Sequence, residues 1–245
     1  MPHKYLLEIS VDSLEKALAA ERGGADRLEL CADLSVGGLT PSRELHRAVR
    51  KKVHIPVYSM IRPRAGDFVY SDAEFTAMER SITVATECGI DGVVLGVLKK
   101  NHRIDMARTR RLVDLARPLP VTFHRAFDET PDLARALEAV IQTGAARILT
   151  SAGAKTALQG AAKLAELVAA ARNCVSGVGS PVQPYRIIIV PGAGITHSNL
   201  AKVAQQTGAI EFHAGLGSVL HYSSRDYAAF ESEVRKLVDA IHSGK

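Results

Sequence analysis

A closed (β/α)₈ barrel, forming a single TIM-barrel domain over residues 1–245, is the α/β fold class that this sequence predicts. Three observations lead there. Eight short aliphatic or β-branched runs alternate with eight stretches of helical spacing along the whole chain. Glycines recur where four of the helical stretches give way to the next run. The G-x-G-x-x-G that follows the first strand of a dinucleotide-binding sheet is missing. A chain of 245 residues holds eight such units with little left over.

The strand-like runs fall near 4–10, 26–31, 56–62, 91–97, 120–125, 146–151, 186–191 and 209–213. The helical stretches after them are 13–22, 41–50, 72–87, 105–116, 131–142, 156–172, 197–206 and 225–242. Asp12 with Glu15, and Ser71 with Glu74, have capping-box spacing. Thr40-Pro41 and Thr130-Pro131 place an expected N-cap before a proline at the first helical position. Gly23-Gly24, Gly89, Gly144 and Gly208 are placed to close helices in the left-handed conformation. Asn173 to Tyr185 is rich in Gly, Ser and Pro and reads as a surface insertion on the face away from the strand C-termini.

Hydrophobic residues make up 47% and charged residues 23%, which excludes a disordered chain. The net charge of +5 is spread along the sequence. Its densest basic cluster, Arg108, Arg110 and Arg111, lies beside Asp105 and Asp114 and reads as a solvated helix face. With no Trp, six Phe and six Tyr, a base-stacking surface is not indicated, so no nucleic-acid partner is expected. The longest apolar runs fall far short of the roughly 20 residues that span a bilayer. Met1 to Ser10 shows no leader pattern. The expectation is a cytoplasmic protein with no membrane partner. Cys31, Cys88 and Cys174 are too few and too far apart for a disulfide framework or a CxxC metal knuckle.

Strand parity marks a candidate site. Arg27, Glu29 and Cys31 share one face of the second strand, and Glu211 and His213 share one face of the eighth. Glu8, Arg62 and His124 join them from strands one, three and five. All are expected near the C-terminal ends of their strands, where barrel enzymes carry their chemistry. A structural ion-pair network, with Glu8 or Glu29 facing Arg62 or Arg125, would also account for such buried charge. The long loops Ala32–Thr40 and Pro63–Tyr70 contribute Arg64 and Asp67 and carry glycine hinges. Asp128 is placed to orient His124 or Arg125, or to serve as a turn residue. Gly192 and Gly194 in the seventh loop, and Gly215 and Gly217 in the eighth, suit backbone binding of a phosphate.

Several segments resemble the CutC family of copper homeostasis proteins. They are Leu28-Glu29-Leu30-Cys31-Ala32-Asp33-Leu34, Gly37-Gly38-Leu39-Thr40-Pro41-Ser42, Met60 to Tyr70, Gly92 to Gly96, Thr122 to Asp128, Arg147 to Ser151 and Glu211-Phe212-His213. The resemblance covers essentially the whole chain. It implies a (β/α)₈ barrel, a cytoplasmic location, a homo-oligomer and a role in copper tolerance or binding. One departure is Ser151-Ala152-Gly153-Ala154, where the family pattern leads us to expect a Ser-Gly-Gly turn.

Two chemistries follow for the mouth. Cu(I) is soft and prefers thiolate and thioether, so Cys31 and Met60 are its candidate ligands, with His124 or His213 completing the set. Alternatively the mouth is that of an enzyme. Glu8, Glu29, Glu211, His124 and His213 suit a divalent ion such as Mg²⁺, Mn²⁺ or Zn²⁺, or act as acid and base without one. Arg62, Arg64 or Arg125 then holds a carboxylate or phosphate through a bidentate fork, and the substrate is a small anionic, sugar-like molecule undergoing isomerisation or lyase chemistry. No Lys lies on the strands at this mouth, which weighs against a Schiff-base aldolase. A third class, a scaffold using the outside of the barrel, rests on the Ala-rich stretch 156–172.

Overall fold

The protein is described here from a computed structural model, which describes residues 5–173 and 187–242. The strands are β1 (Leu6–Val11), β2 (Arg27–Leu30), β3 (Val57–Met60), β4 (Gly92–Leu95), β5 (Val121–Phe123), β6 (Arg147–Thr150), β7 (Ile188–Pro191) and β8 (Glu211–Ala214). The helices are α1 (Leu14–Gly23), α2 (Arg43–Lys52), α3 (Asp72–Glu87), α4 (Met106–Ala116), α5 (Leu133–Thr143), α6 (Ala161–Asn173), α7 (Leu200–Thr207) and α8 (Tyr227–His242). All recorded strand pairs are parallel, in the order β7-β6-β5-β4-β3-β2-β1-β8. β7 and β8, at the two ends of that order, pack against each other and bring the sheet round into a nearly closed barrel. No described helix is long and apolar enough to cross a membrane.

Outward-facing Leu7, Ile9, Leu28, Leu30, Val57, Val93, Leu95, Val121, Phe123, Ile148, Ile189 and Phe212 are buried under the helices. Fully burying a side chain of this kind contributes about 1.5–3 kcal/mol, so the helical jacket dominates stability. α1 lies close along α8 because Gly23 has no side chain. A Cβ there would stand 2.7 Å from Val234 Cβ. Gly24 then ends α1 with φ +95°, a conformation in which a Cβ is strained.

Several helix starts differ from the sequence reading. Ser71 and Glu74 do form a capping box. Ser13 caps α1, while Asp12 pairs with Lys16. Ser42, not Thr40, caps α2, and Asp132, not Thr130, caps α5. Each cap lies beyond the proline because a side chain one residue later reaches the free N–H groups. Thr40 Oγ1 instead accepts from Arg62 N and donates to Arg62 O. α6 starts at Ala161 and α7 at Leu200, later than predicted, because 151–160 and 195–199 form turns. The basic cluster is not simply a solvated face. Arg108 pairs with Asp72 and Arg111 with Glu79, tying α4 to α3 across Phe75. Ile210, which alternates with Glu211 and by strand parity would face the helices, precedes β8 and is exposed. Cys174 and most of the predicted insertion lie outside the described residues.

Candidate functional site

The inward-facing polar residues form two tiers. The lower tier is an ion-paired plug. Arg27, first residue of β2, binds Glu8 through Nε and Glu211 through Nη2, the latter at 2.8 Å. Arg147, first residue of β6, reaches Glu211 at 3.0 Å and donates to the Tyr58 hydroxyl at 3.0 Å. Both guanidiniums lie over the Tyr58 ring, which packs on Gly92, where a Cβ would come within 2.6 Å of the ring.

This tier corrects the expected placement of two residues. Glu211 is the first residue of β8 and Glu8 is mid-strand, so neither is at a strand's C-terminal end, and neither lines the cavity above. The expected ion-pair partners change too. Glu8 is held by Arg27 rather than by Arg62 or Arg125. Burial pushes the Glu8 carboxyl up, but Arg27 and His213 outweigh it and bring it down to about 2.

The upper tier opens into a cavity of about 660 Å³ at the C-terminal ends of the strands. Its floor holds Ser10, Glu29 and His213. His213 Nδ1 lies 2.7 Å from Glu8 Oε1. His213 Nε2 lies 2.8 Å from Ser10 Oγ and 3.3 Å from Glu29 Oε2. Of the three buried carboxyls, Glu8 and Glu211 meet the buried Arg27, Glu211 also meets the half-buried Arg147, and Glu29 meets His213. Burial opposes a charge on His213, but the adjacent Glu29 and Glu8 raise it overall. Burial raises the Glu29 carboxyl. Both shifts run toward a protonated state, and the two groups lie 3.3 Å apart.

Cys31 and Met60 meet on one side of this floor. A Cβ on Gly38 would lie 2.9 Å from Cys31 Sγ and 3.6 Å from Met60 Cε, so both side chains converge under the second loop. Leu34, Tyr58 and Val94 complete an apolar cluster with them. Burial and the neighbouring Glu29 hold the Cys31 thiol well above its usual value. A thiol and a thioether in an apolar setting suit Cu(I) in kind. Glu8, Glu29 and His213 offer ligand atoms within 4.8 Å of one another, the spacing of a metal cluster. Arg27 already occupies Glu8, however, and its positive charge opposes a divalent ion there.

The wall carries His124, Arg62 and Phe68. His124 Nδ1 accepts from Ala126 N at 3.2 Å, so the ring proton belongs on Nε2, which has no partner. Burial first, and then Arg62, lowers His124 to about 3, so the imidazole is neutral. The ring fits because position 96 is glycine. A Cβ there would stand 2.6 Å from His124 Cε1 and Nδ1.

Arg62 lies two residues beyond β3 and is buried, at 6% exposure. Its expected bidentate fork is already used. Nη1 binds Val36 O and Gly38 O, and Nη2 binds Gly66 O, fastening the second and third loops together.

The remaining predicted residues divide. Arg125 and Asp128 line the cavity and pair at 2.9 Å. Asp128 also accepts from Ser151 N, Ser151 Oγ and Gly153 N, which fixes the sixth loop. Arg64 and Asp67 bind each other, with Arg64 also on Glu74, and neither lines the cavity. Gly194 lines the cavity, whereas Gly192 does not. The Gly192 N–H is committed to Thr150 O, so it is not free for a phosphate. Ser10, Tyr58 and Arg147 were missed. Each sits at inward parity beside a residue already singled out or at an inward strand start, and the same parity rule would have found them.

The CutC family profile matches residues 5–218. The human copper homeostasis protein cutC homolog is 44% identical over 214 residues, covering 87% of this chain and 74% of that protein. A family protein CutC from Xanthomonas axonopodis pv. citri is 44% identical over 247 residues, covering 96% and 98% of the two chains. The solved structure of the putative copper homeostasis protein CutC from Streptococcus agalactiae superposes with a TM-score of 0.77 at 32% identity, over 86% of this chain and 98% of that one.

Proposed function

The chain belongs to the CutC family, and on that footing we propose that its barrel mouth carries out acid–base chemistry on a small organic molecule. The observation that supports this most is the His213 imidazole. Glu8 holds Nδ1, and Nε2 faces Glu29 and Ser10 on the floor of a cavity large enough for a metabolite. In this reading Glu8 orients His213 and stabilises its cation, while Glu29 and His213 exchange the proton with the substrate. The lower tier of Arg27, Arg147 and Glu211 keeps Glu8 ionised and closes the barrel beneath. The protein is further proposed to act in the cytoplasm as a homo-oligomer, as the family resemblance implies. The test is metabolite profiling of cells lacking the protein, complemented with wild type, Glu29→Gln or His213→Asn. Wild type should restore a metabolite that both variants leave accumulated. Full restoration by both variants would end the acid–base reading.

The copper names of the relatives support a second reading, in which the mouth captures Cu(I). The convergence of Cys31 and Met60 beneath Gly38 favours it. Those two side chains would hold the ion, and thiolate binding would release the Cys31 proton. Copper analysis of wild type and Cys31→Ser after Cu(I) loading decides it. Equal copper in both proteins would remove Cys31 from the site.

A further inference from the structure

Arg62 is a buried cation whose charge meets no carboxylate. Its two terminal nitrogens bind three carbonyl oxygens, which satisfy hydrogen bonds but carry no formal charge. No ion pair to Arg62 occurs among the described residues. The acidic residues around it are committed elsewhere. Glu29 faces His213, Asp128 faces Arg125, Glu129 faces His102, and Asp67 faces Arg64. A buried charge left unpaired is costly unless something compensates it.

The hydrogen-bond accounting points the same way. Arg62 Nε and His124 Nε2 are both buried donors without a partner. Both residues line the same cavity, and Phe68 packs on each, 4.7 Å from the His124 ring and 5.0 Å from the Arg62 guanidinium carbon. The buried Tyr70 hydroxyl, at the end of the same loop, lies against Arg62 and outside the cavity lining, and it brings no negative charge to the guanidinium. Buried polar groups are normally satisfied, so two such donors on residues that line one cavity mark where a ligand's acceptor atoms belong.

We infer that Arg62 and His124 form an anion subsite in the cavity wall, which takes the carboxylate or phosphate group of a small organic ligand. A cavity of about 660 Å³ far exceeds the space one such group needs, at about 30 Å³ per water displaced. The anionic group is thus one end of a larger molecule, and the other end reaches the floor at Glu29 and His213. This last step rests on the acid–base reading above, whereas the anion subsite itself does not.

The test is calorimetric titration of the full chain with inorganic phosphate and, separately, with malonate, at constant ionic strength. At least one probe should bind once per chain. His124→Asn keeps an acceptor for Ala126 N–H and removes the far donor, and it should weaken binding about tenfold. Arg62→Lys keeps the charge and should also weaken binding, while Glu29→Gln should bind the probe at least as well as wild type. Phosphate binding alone assigns a phosphate ester, and malonate binding alone a carboxylate. Absence of binding by wild type, or unchanged binding in a folded His124→Asn, would overturn the inference. Probe binding that depends on Arg62 and His124, in a protein whose Glu29→Gln variant is fully functional in cells, would refute the acid–base reading and leave the subsite standing.

Discussion

Replacing Arg27 by Met tests how the lower tier is held together. The substitution removes the cation that pairs with Glu8 and Glu211, while Arg147 still reaches Glu211. Glu8 is fully buried, and its carboxyl falls from 4.5 to about 2 despite the opposing effect of burial. At about 1.4 kcal/mol per pH unit, that fall corresponds to about 3 kcal/mol at neutral pH. Breaking a buried ion pair by removing one partner costs about 3–5 kcal/mol, and the lost cation–π contact with Tyr58 adds about 1 kcal/mol. The expected loss, about 4 kcal/mol, is a large fraction of the roughly 5–15 kcal/mol that holds a domain folded. Urea unfolding at several pH values measures it. The sign of the pH dependence is fixed. A carboxyl held low contributes stability that is fully present above pH 4.5 and lost as pH falls toward 2. The gap between wild type and variant should therefore be widest near neutrality and narrow below pH 4.5. A gap under about 1 kcal/mol at neutral pH, or one that does not change with pH, would refute the charge argument and leave Arg27 as packing alone.

Three further outcomes are expected. His124, held near 3 against an ordinary 6.5, refuses in the folded state a proton that the unfolded chain takes up, so wild type should lose about 1.4 kcal/mol per pH unit below 6.5 from this residue. His46, lowered to about 4 by burial, adds a fall of the same sign, and His124→Asn should flatten the limb; an unaltered slope would count against a neutral buried His124. Ala152 has φ +57°, so Ala152→Gly should stabilise by about 0.5–1 kcal/mol and raise the thermal midpoint, whereas a lower midpoint would show that the methyl group packs usefully. Gly96→Ala forces the His124 ring aside and should cost about 1–3 kcal/mol in urea unfolding, and an unchanged midpoint would show that the ring has room to move.

Most of the fold was legible because its signals are local. Eight alternating periods, the Ser71–Glu74 capping box and the left-handed glycines at 24, 144 and 208 all report on a few neighbouring residues. The inward parity of Glu29, His213 and Cys31 was legible for the same reason. Height within the barrel was not. Strand stagger decides whether Glu211 or His213 meets the cavity, and stagger is a property of pairings between distant strands. The partners of long side chains were equally hidden. Arg62, Arg64 and Arg125 look alike in sequence. In the structure one binds carbonyls, one closes its own loop, and one pairs with Asp128 at the cavity. Ala152 illustrates a third limit. Its departure from the expected glycine was visible, but Asp128 secures the neighbouring Ser151 and Gly153 from another loop, so the turn keeps its left-handed form without glycine at 152.

The two tiers also explain why so much charge is tolerated inside one barrel. Glu8 belongs to both. One of its oxygens takes the Arg27 guanidinium below and the other takes His213 Nδ1 above. Because Arg27 keeps Glu8 ionised, Glu8 can act only as an acceptor, and His213 must present a proton on Nδ1. The imidazole is then fixed in tautomer and orientation, and Nε2 is the nitrogen left facing Glu29 and Ser10 on the cavity floor. Loss of the lower tier would thus remove more than stability. It would free Glu8 to carry the proton, and the asymmetry that aims His213 at the cavity would disappear. A purely structural ion-pair plug has no need of that asymmetry, since Arg27 and Arg147 are balanced by Glu8 and Glu211 without a histidine. His213 and Glu29 lie directly above them, on the side that opens to the cavity, and under the proposed acid–base reading that placement would join the buried charge to chemistry at the mouth.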